Sequence, residues 1–179
     1  MAKVKGAHVI NAVKVLRMQR ERALQLLPPE LHRYLDERIL PASWYPFEEH
    51  IELLRAIATL TGATSPWEMM GRGTARMDLA GIYKARLREG DVGATLRAMA
   101  AMWKSAHDTG ELTVTLEGES RASVRLHGFV PRSLEICGIS TGYLIEGVFM
   151  ALNREPRVVH VECRLRGAQE CVWSVDWSL

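Results

Sequence analysis

The chain has 179 residues, enough for one domain with a sizeable core, so neither a metal ion nor a disulfide is required for stability. A formal net charge of +2 disfavours charge-driven binding to nucleic acid or to an anionic membrane. No apolar run approaches the roughly 18 residues of a membrane-spanning helix, and no cleavable leader pattern precedes the first helix. We therefore expect a cytoplasmic protein with no membrane span and no nucleic-acid partner.

The first part of the chain predicts helices. Apolar residues recur at helical spacing over residues 7–27, as one helix or two, and the prolines at 28–29 end that stretch. A short helix is predicted over residues 30–39 and a longer one that ends at residue 61 and buries Phe47, with an aromatic corner at 44–47 between them. Residues 1–108 are thus expected to be mainly helical.

Two helix-start signals follow. Residues 65–68, Ser-Pro-Trp-Glu, form a capping box with proline at the first helical position. The glycines at 71, 73 and 81 weaken the helix after it, and such spacing indicates that another backbone comes close. Asp91 caps a further helix whose inward face carries Met and Trp side chains.

From Gly110 onward the apolar period changes from helical to alternating. Residues 112–116 and 122–126 form a predicted β-hairpin, and Pro131 with Ser133 introduces a helix. A second hairpin is predicted to pair residues 158–166 with residues 171–177. The predicted fold class is α+β: N-terminal helices packed on an antiparallel sheet of about four strands, in which two hairpins flank a helix. We predict a single domain over residues 1–179, with this hairpin-helix-hairpin part in residues 109–179.

All the cysteines lie in the C-terminal part, at 137, 163 and 171. Cys163 and Cys171 stand four residues to either side of Gly167, as in a hairpin with two facing thiols. A zinc site with His160, a disulfide between Cys163 and Cys171, and simple buried packing are all compatible with this pattern. A regular strand points His160 and Cys163 to opposite faces, so a zinc site requires a bulge, Glu162 in place of His160, or an open fourth position.

The same stretch resembles the 4-vinyl reductase domain family. The resemblance rests on Cys137 with Gly142-Tyr143 after it, on the Cys163-x3-Gly167-x3-Cys171 motif, and on the closing residues 172–175, Val-Trp-Ser-Val. Residues 26–30 and 43–48 are also similar to stand-alone bacterial members of this superfamily. Aromatic-sensing regulators of the family hold zinc on Cys, Glu, Cys and Cys at this spacing. The resemblance thus implies a structural zinc on Cys137, His160, Cys163 and Cys171, with His160 at the position of the family's Glu.

The resemblance also implies kinship with the haem-based nitric-oxide sensors and with the TRAPP vesicle-tethering subunits. It implies helices wrapped on an antiparallel sheet, a buried apolar cavity and a homodimer formed through the N-terminal helices. A haem group would need an axial ligand, for which His50 and His107 are the candidates. Neither lies in the Tyr-x-Ser-x-Arg context of the haem sensors, and that pattern is missing from the sequence. We therefore expect zinc and no haem.

Soft and aromatic side chains are the candidates for lining a ligand pocket, although at helical spacing such residues are more often core. They are Trp44, Tyr45, Trp67, Met70, Met99, Met102, Trp103, Tyr143 and Phe149.

No nucleophile elbow, P-loop or dinucleotide motif is present, so we predict that the chain is not an enzyme. The leading hypothesis is a sensor domain that binds an apolar or aromatic small molecule and signals to a separate, unknown downstream protein. One alternative is a protein-interaction or dimerisation module with a filled core, and the other is a small reductase-type enzyme.

Overall fold

The computed structural model describes residues 1–81 and 83–178 of the chain. The chain divides into two compact units. Unit 1 contains Met1–Pro66 and Ser105–Thr109, and unit 2 contains Trp67–Lys104 and the chain from Gly110 onward.

Unit 1 is built from helices and one small sheet. Its helices are α1 (Gly6–Met18), α2 (Arg20–Leu26), α3 (Arg33–Asp36) and α4 (Phe47–Thr61), with a 3-10 turn at Pro29–Leu31. The sequence left open one helix or two over residues 7–27, and the structure has two, α1 and α2. Strands β1 (Lys3–Lys5) and β2 (Trp44–Pro46) pair antiparallel, and Val4 also bridges to His107.

Unit 2 begins with two helices. Helix α5 (Pro66–Ala80) starts at the proline of the predicted capping box, and a 3-10 turn at Lys84–Arg86 leads towards α6 (Val92–Ala106). Asp91 caps α6 as predicted, because its Oδ1 accepts a hydrogen bond of 2.8 Å from the backbone N–H of Ala94. The last residues of α6 belong to unit 1.

The remainder of unit 2 is a four-stranded antiparallel sheet in the order β3-β4-β6-β5. Its strands are β3 (Glu111–Leu116), β4 (Arg121–His127), β5 (Arg157–Glu162) and β6 (Cys171–Asp176). Helix α7 (Leu134–Leu152) connects the two hairpins and packs on β5 and β6. The predicted α+β class with two hairpins flanking a helix is confirmed. The second hairpin is shorter than predicted, since the backbone leaves the strand after Glu162 and forms a 3-10 turn at Arg164–Arg166.

Helix α7 is strongly apolar. By length and composition it could cross a membrane, since its mean hydropathy is 1.3. However, 61% of its apolar stretch is buried inside the fold. Core helices of globular domains meet the same test. Strands β5 and β6 and helix α5 contact it.

Candidate metal centre

Cys137 is placed by the start of helix α7. Ser133 is the N-cap, and its Oγ accepts a hydrogen bond of 3.3 Å from the backbone N–H of Ile136. Cys137 therefore lies in the first turns of a helix whose beginning is well defined, and its side chain is buried.

His160 is placed by strand β5 and by a bulge directly after it. His160 pairs with Trp173 of β6, but the next pair joins Glu162 to Val172, so that Val161 is the extra residue. The bulge required by the odd spacing between His160 and Cys163 is therefore present. The His160 Nε2 is buried and has no hydrogen-bond partner among the described residues.

Cys163 and Cys171 flank the turn between β5 and β6. The carbonyl of Cys163 accepts hydrogen bonds from the backbone N–H groups of Arg166, at 2.9 Å, and Ala168, at 3.1 Å, which fixes the turn. Gly167 occupies the left-handed region, with φ at +94°. Cys171 begins β6 and pairs with Leu126 of β4 on one side. On its other side the pairing with β5 ends at Glu162 and Val172, one position before Cys163 and Cys171.

The four side chains converge on one point. One ligand atom from each of Cys137, His160, Cys163 and Cys171 lies within 4.8 Å of every other. The Cys137 Sγ is 4.0 Å from the sulfur of Cys163 and 4.0 Å from that of Cys171. In a tetrahedral site with metal–sulfur bonds of about 2.3 Å, neighbouring sulfurs are about 3.8 Å apart. We call these four residues the thiol–imidazole cluster.

A disulfide, a glutamate ligand and simple packing each fit the cysteine pattern less well than a metal site does. All three cysteines are free thiols, so the disulfide between Cys163 and Cys171 is not formed. Glu162, the alternative fourth ligand, is exposed and lies outside the cluster. Simple packing would leave the buried His160 Nε2 without a partner, which is costly for a buried polar atom.

The environment also acts on the acid–base properties of the cluster. Burial, followed by the two neighbouring thiols, raises the pKa of the Cys137 thiol well above its ordinary value. Burial raises the pKa of the Cys163 thiol too, but a hydrogen bond from the backbone of Leu165 and the neighbouring thiols lower it more, so it ends below its ordinary value. Burial and the charge of Arg166 lower the pKa of His160, which is therefore a neutral imidazole at neutral pH.

The sequence candidates for a haem ligand lie in unit 1. His50 of α4 is buried, and burial together with the charge of His8 lowers its pKa to about 3, so the ring is neutral. Its Nδ1 has no hydrogen-bond partner among the described residues. The ring of His107 lies beside those of His8 and Phe47, with centroids 6.1 and 6.4 Å away. A neutral imidazole with an unpartnered nitrogen is the donor that haem iron takes, so His50 fits that role chemically.

The predicted pocket residues fall into both units. Trp44 and Tyr45 belong to unit 1, where Lys5 Nζ lies 3.9 Å from the Trp44 ring and the Tyr45 hydroxyl accepts a hydrogen bond from Leu40. The others belong to unit 2: Trp67, Met70, Met99, Met102, Trp103, Tyr143 and Phe149. Of these, Met99, Met102 and Trp103 are buried core side chains. The pocket itself stays a prediction.

A polar cleft lies beside the turn that carries the cluster. It has a volume of about 440 Å³. The residues that line it are His127, Glu162, Ala168, Gln169 and Glu170. None of the predicted pocket residues lines this cleft, and all its lining residues except Ala168 are polar or charged.

Sequence reasoning missed the polar contacts between α5 and α7. Glu146 of α7 is buried and accepts hydrogen bonds from Arg76, while Arg72 lies 3.6 Å from the same carboxylate. Tyr143 of α7 donates a hydrogen bond of 3.0 Å to Asp78 of α5. One signal was available, because an acid in the middle of a helix as apolar as α7 requires a compensating partner when it is buried.

Comparison with known proteins gives a clear result at the level of the fold. No protein-family model and no curated protein matches the sequence. Among solved structures, an H-NOX protein from S. oneidensis in the Fe(II)NO ligation state is 14% identical, with a TM-score of 0.63 over 96% of this chain and 98% of that one. An oxygen-binding H-NOX domain related to soluble guanylate cyclases is also 14% identical, with a TM-score of 0.69 over 98% of this chain and 95% of that one. The chain has the H-NOX fold.

A further H-NOX structure, solved to probe the function of haem distortion, has a TM-score of 0.70 at 14% identity and covers 98% of this chain and 95% of its own. These structures contradict the 4-vinyl reductase assignment made from the sequence, because the similar folds are H-NOX domains. They also contradict the cofactor prediction of zinc and no haem, since haem is named for that H-NOX protein. NO, oxygen and haem are named for these H-NOX proteins.

Proposed function

We propose that this chain is a non-enzymatic sensor domain that binds a small molecule and passes the signal to a separate protein. The observation that carries the proposal is the likeness to H-NOX domains, which extends over 98% of the chain and 95% of an oxygen-binding relative. Binding acts by favouring one arrangement of the domain over another, because a ligand shifts only those states that it binds unequally.

Haem is the first ligand to test. It is flat, aromatic and largely apolar, and it is the group named for a similar fold, in contrast to the expectation of no haem from the sequence. His50 would serve as the axial ligand, since burial keeps its imidazole neutral and leaves Nδ1 without a partner among the described residues. When bound, haem supplies an iron that takes diatomic gases such as oxygen or NO.

The test is a titration of the purified protein with hemin, followed by its Soret absorption. We expect a ligated Soret band in the wild type that is lost in His50→Ala. His32→Ala is the matched control, because His32 also lies in unit 1 but its Nε2 is engaged with the carbonyl of Leu27 at 3.0 Å. A wild-type protein that leaves the hemin spectrum unchanged excludes haem. Native mass spectrometry then decides between another apolar or aromatic ligand and an empty interaction module.

We further propose that the thiol–imidazole cluster binds a structural metal ion. The cluster offers soft sulfur and nitrogen donors at tetrahedral spacing, which suit first-row divalent ions. All four positions are filled by protein, as in structural rather than catalytic sites. The ion would fasten three elements, α7, β5 and the start of β6, and elemental analysis of the purified protein gives its identity and stoichiometry.

The homodimer stays a prediction; if it forms, a ligand could act by favouring one arrangement of its two subunits. Light scattering coupled to size exclusion measures its mass. A monomeric mass at all protein concentrations, with and without ligand, would exclude the dimer but would leave the proposed ligand binding unaffected.

A further inference from the structure

Trp173 connects two members of the thiol–imidazole cluster that lie on different elements. It is completely buried in β6 and pairs with His160 across the sheet. The two rings stack at a centroid distance of 4.5 Å with an interplanar angle of 10°. The flat face of the indole therefore defines the plane in which the His160 ring lies.

The other edge of Trp173 reaches helix α7. The indole Nε1–H donates a hydrogen bond of 2.9 Å to the Thr141 Oγ1. A buried indole N–H requires an acceptor, so this bond selects one orientation of the ring. The Thr141 hydroxyl in turn donates a hydrogen bond of 2.9 Å to the carbonyl of Cys137. A continuous chain of contacts thus runs from His160 through Trp173 and Thr141 to the helical turn that carries Cys137.

We infer that Trp173 is the positioning residue of the metal centre, acting through Thr141. The inference rests on the proposed metal site. A histidine ligand usually has its ring orientation set by a hydrogen bond to its second nitrogen, and loss of such support weakens metal binding. Here the stacked indole of Trp173 sets the plane of the His160 ring, while the hydrogen bond to Thr141 fixes the position of the indole relative to helix α7.

The bulge in strand β5 turns His160 and Cys163 towards the same point, and the stack on Trp173 restrains it. Val161 is the extra residue between His160 and Cys163, so both side chains are turned towards the same point. A bulge adds local freedom to an edge strand. The stack on Trp173 removes that freedom at His160, and the hydrogen bond of 3.0 Å from Arg166 to the carbonyl of His160 holds the backbone.

The test compares Co²⁺ binding by the wild type, Thr141→Val, Thr141→Ser and Trp173→Phe. Co²⁺ is the probe because its visible absorption reports the geometry and donors of its site. Thr141→Val keeps the shape of the side chain but removes the acceptor for the indole, and Thr141→Ser keeps the hydroxyl. We expect Thr141→Val and Trp173→Phe to weaken Co²⁺ binding about 10- to 100-fold and to shift the visible bands, while Thr141→Ser stays near the wild type.

Trp177→Phe is the control for Trp173→Phe, because Trp177 is a nearly buried indole of unit 2 that directly follows β6. It should bind Co²⁺ as the wild type does. If the wild type binds no Co²⁺, the metal site itself is wrong. If the wild type binds Co²⁺ and both Thr141→Val and Trp173→Phe match it in affinity and spectrum, the metal site stands and the role of Trp173 is overturned.

Discussion

Arg76 of helix α5 donates hydrogen bonds of 2.5 and 3.1 Å to the two carboxylate oxygens of Glu146 on helix α7. Glu146 is 1% exposed, whereas the side chain of Arg76 is 62% exposed. The two members of the pair differ in exposure. Without its partner, Arg76 is still solvated by water, but Glu146 stays buried, with Arg72 at 3.6 Å as its other ion-pair partner among the described residues.

This inequality predicts unequal effects of mutation. We expect Arg76→Ala to lower the urea midpoint of unfolding more than Glu146→Gln does, because the first change leaves a buried charge and the second removes it. Lys104→Ala is the control, since Lys104 pairs with Glu111 at 2.8 Å on the surface and such pairs contribute little. Equal losses for both changes, or a large loss for Lys104→Ala, would contradict this account.

The close approach of α5 and α7 gives a second prediction. A Cβ added at Gly71 would lie 2.0 Å from the carbonyl oxygen of Ile139, and one added at Gly142 would lie 2.0 Å from that of Glu68. Gly71→Ala and Gly142→Ala must therefore push the helices apart, and we expect each to cost roughly 2 kcal/mol or more.

Gly73→Ala is the matched control on the same helix. A Cβ at Gly73 meets nothing within 4 Å. Alanine there should stabilise the protein by about 0.5–1 kcal/mol through helix propensity. The measurement is the free energy of unfolding in urea, and a stabilising Gly71→Ala would refute the close contact.

The lowered pKa of His50 predicts that the free energy of unfolding depends on pH. Its pKa is about 3 in the folded chain, below the ordinary value of 6.5, because of burial and the charge of His8. Between pH 6.5 and about pH 3, His50 is protonated in the unfolded chain but neutral in the folded chain. The free energy of unfolding therefore falls as the pH drops below 6.5 and continues to fall until about pH 3. Between about pH 7.5 and pH 4.5 we expect a loss of about 2–3 kcal/mol from this residue.

His50→Leu removes the titrating group and should flatten the pH dependence by that amount. Urea unfolding of both proteins at several pH values measures it. Parallel pH profiles for the two proteins would show that His50 is solvated or paired in the folded state.

The metal centre gives a prediction that separates its ligands. His160→Ala should release the metal, whereas Glu162→Ala should retain it, because Glu162 is exposed and lies outside the cluster. Elemental analysis after gel filtration measures retention. The reverse result would make Glu162 the fourth ligand.

Chelation tests the structural role of the same ion. An ion that binds only the folded state, at about 1,000 times its Kd, adds about 4 kcal/mol, or roughly 8–16 °C in Tm for a domain of this size. We expect a loss of that order on chelation in the wild type and no further loss in His160→Ala. An unchanged wild-type Tm after complete removal of the metal would exclude a structural role.

The successful sequence predictions concern local patterns. The proline of the capping box begins α5, Asp91 and Ser133 cap their helices, and the change of period at Gly110 marks the first hairpin. Each depends on residues a few positions apart, where spacing and side-chain type act directly on the backbone. The small sheet of unit 1 was missed because its strands have three residues each and pair Val4 with the distant Tyr45.

Only part of the candidate site was accessible from the sequence. The four residues of the thiol–imidazole cluster were predicted from composition, spacing and a family resemblance, although that family assignment is contradicted by the H-NOX structures. The spacing also showed that a bulge was needed, but its place at Val161 depends on the pairing of β5 with β6. Gly73, predicted to lie against another backbone, has open space around it, since only one side of α5 meets α7.

By itself, the sequence determined the main helices, the two hairpins and which side chains are of types that bind metals, because these properties follow from local periodicity and side-chain chemistry. The tertiary structure alone decided that His160 stacks on Trp173 and that Glu146 pairs with Arg76, 70 positions away. It also decided the H-NOX fold, at 14% identity. Such relationships depend on which distant surfaces pack together, and side chains of many kinds satisfy the same packing.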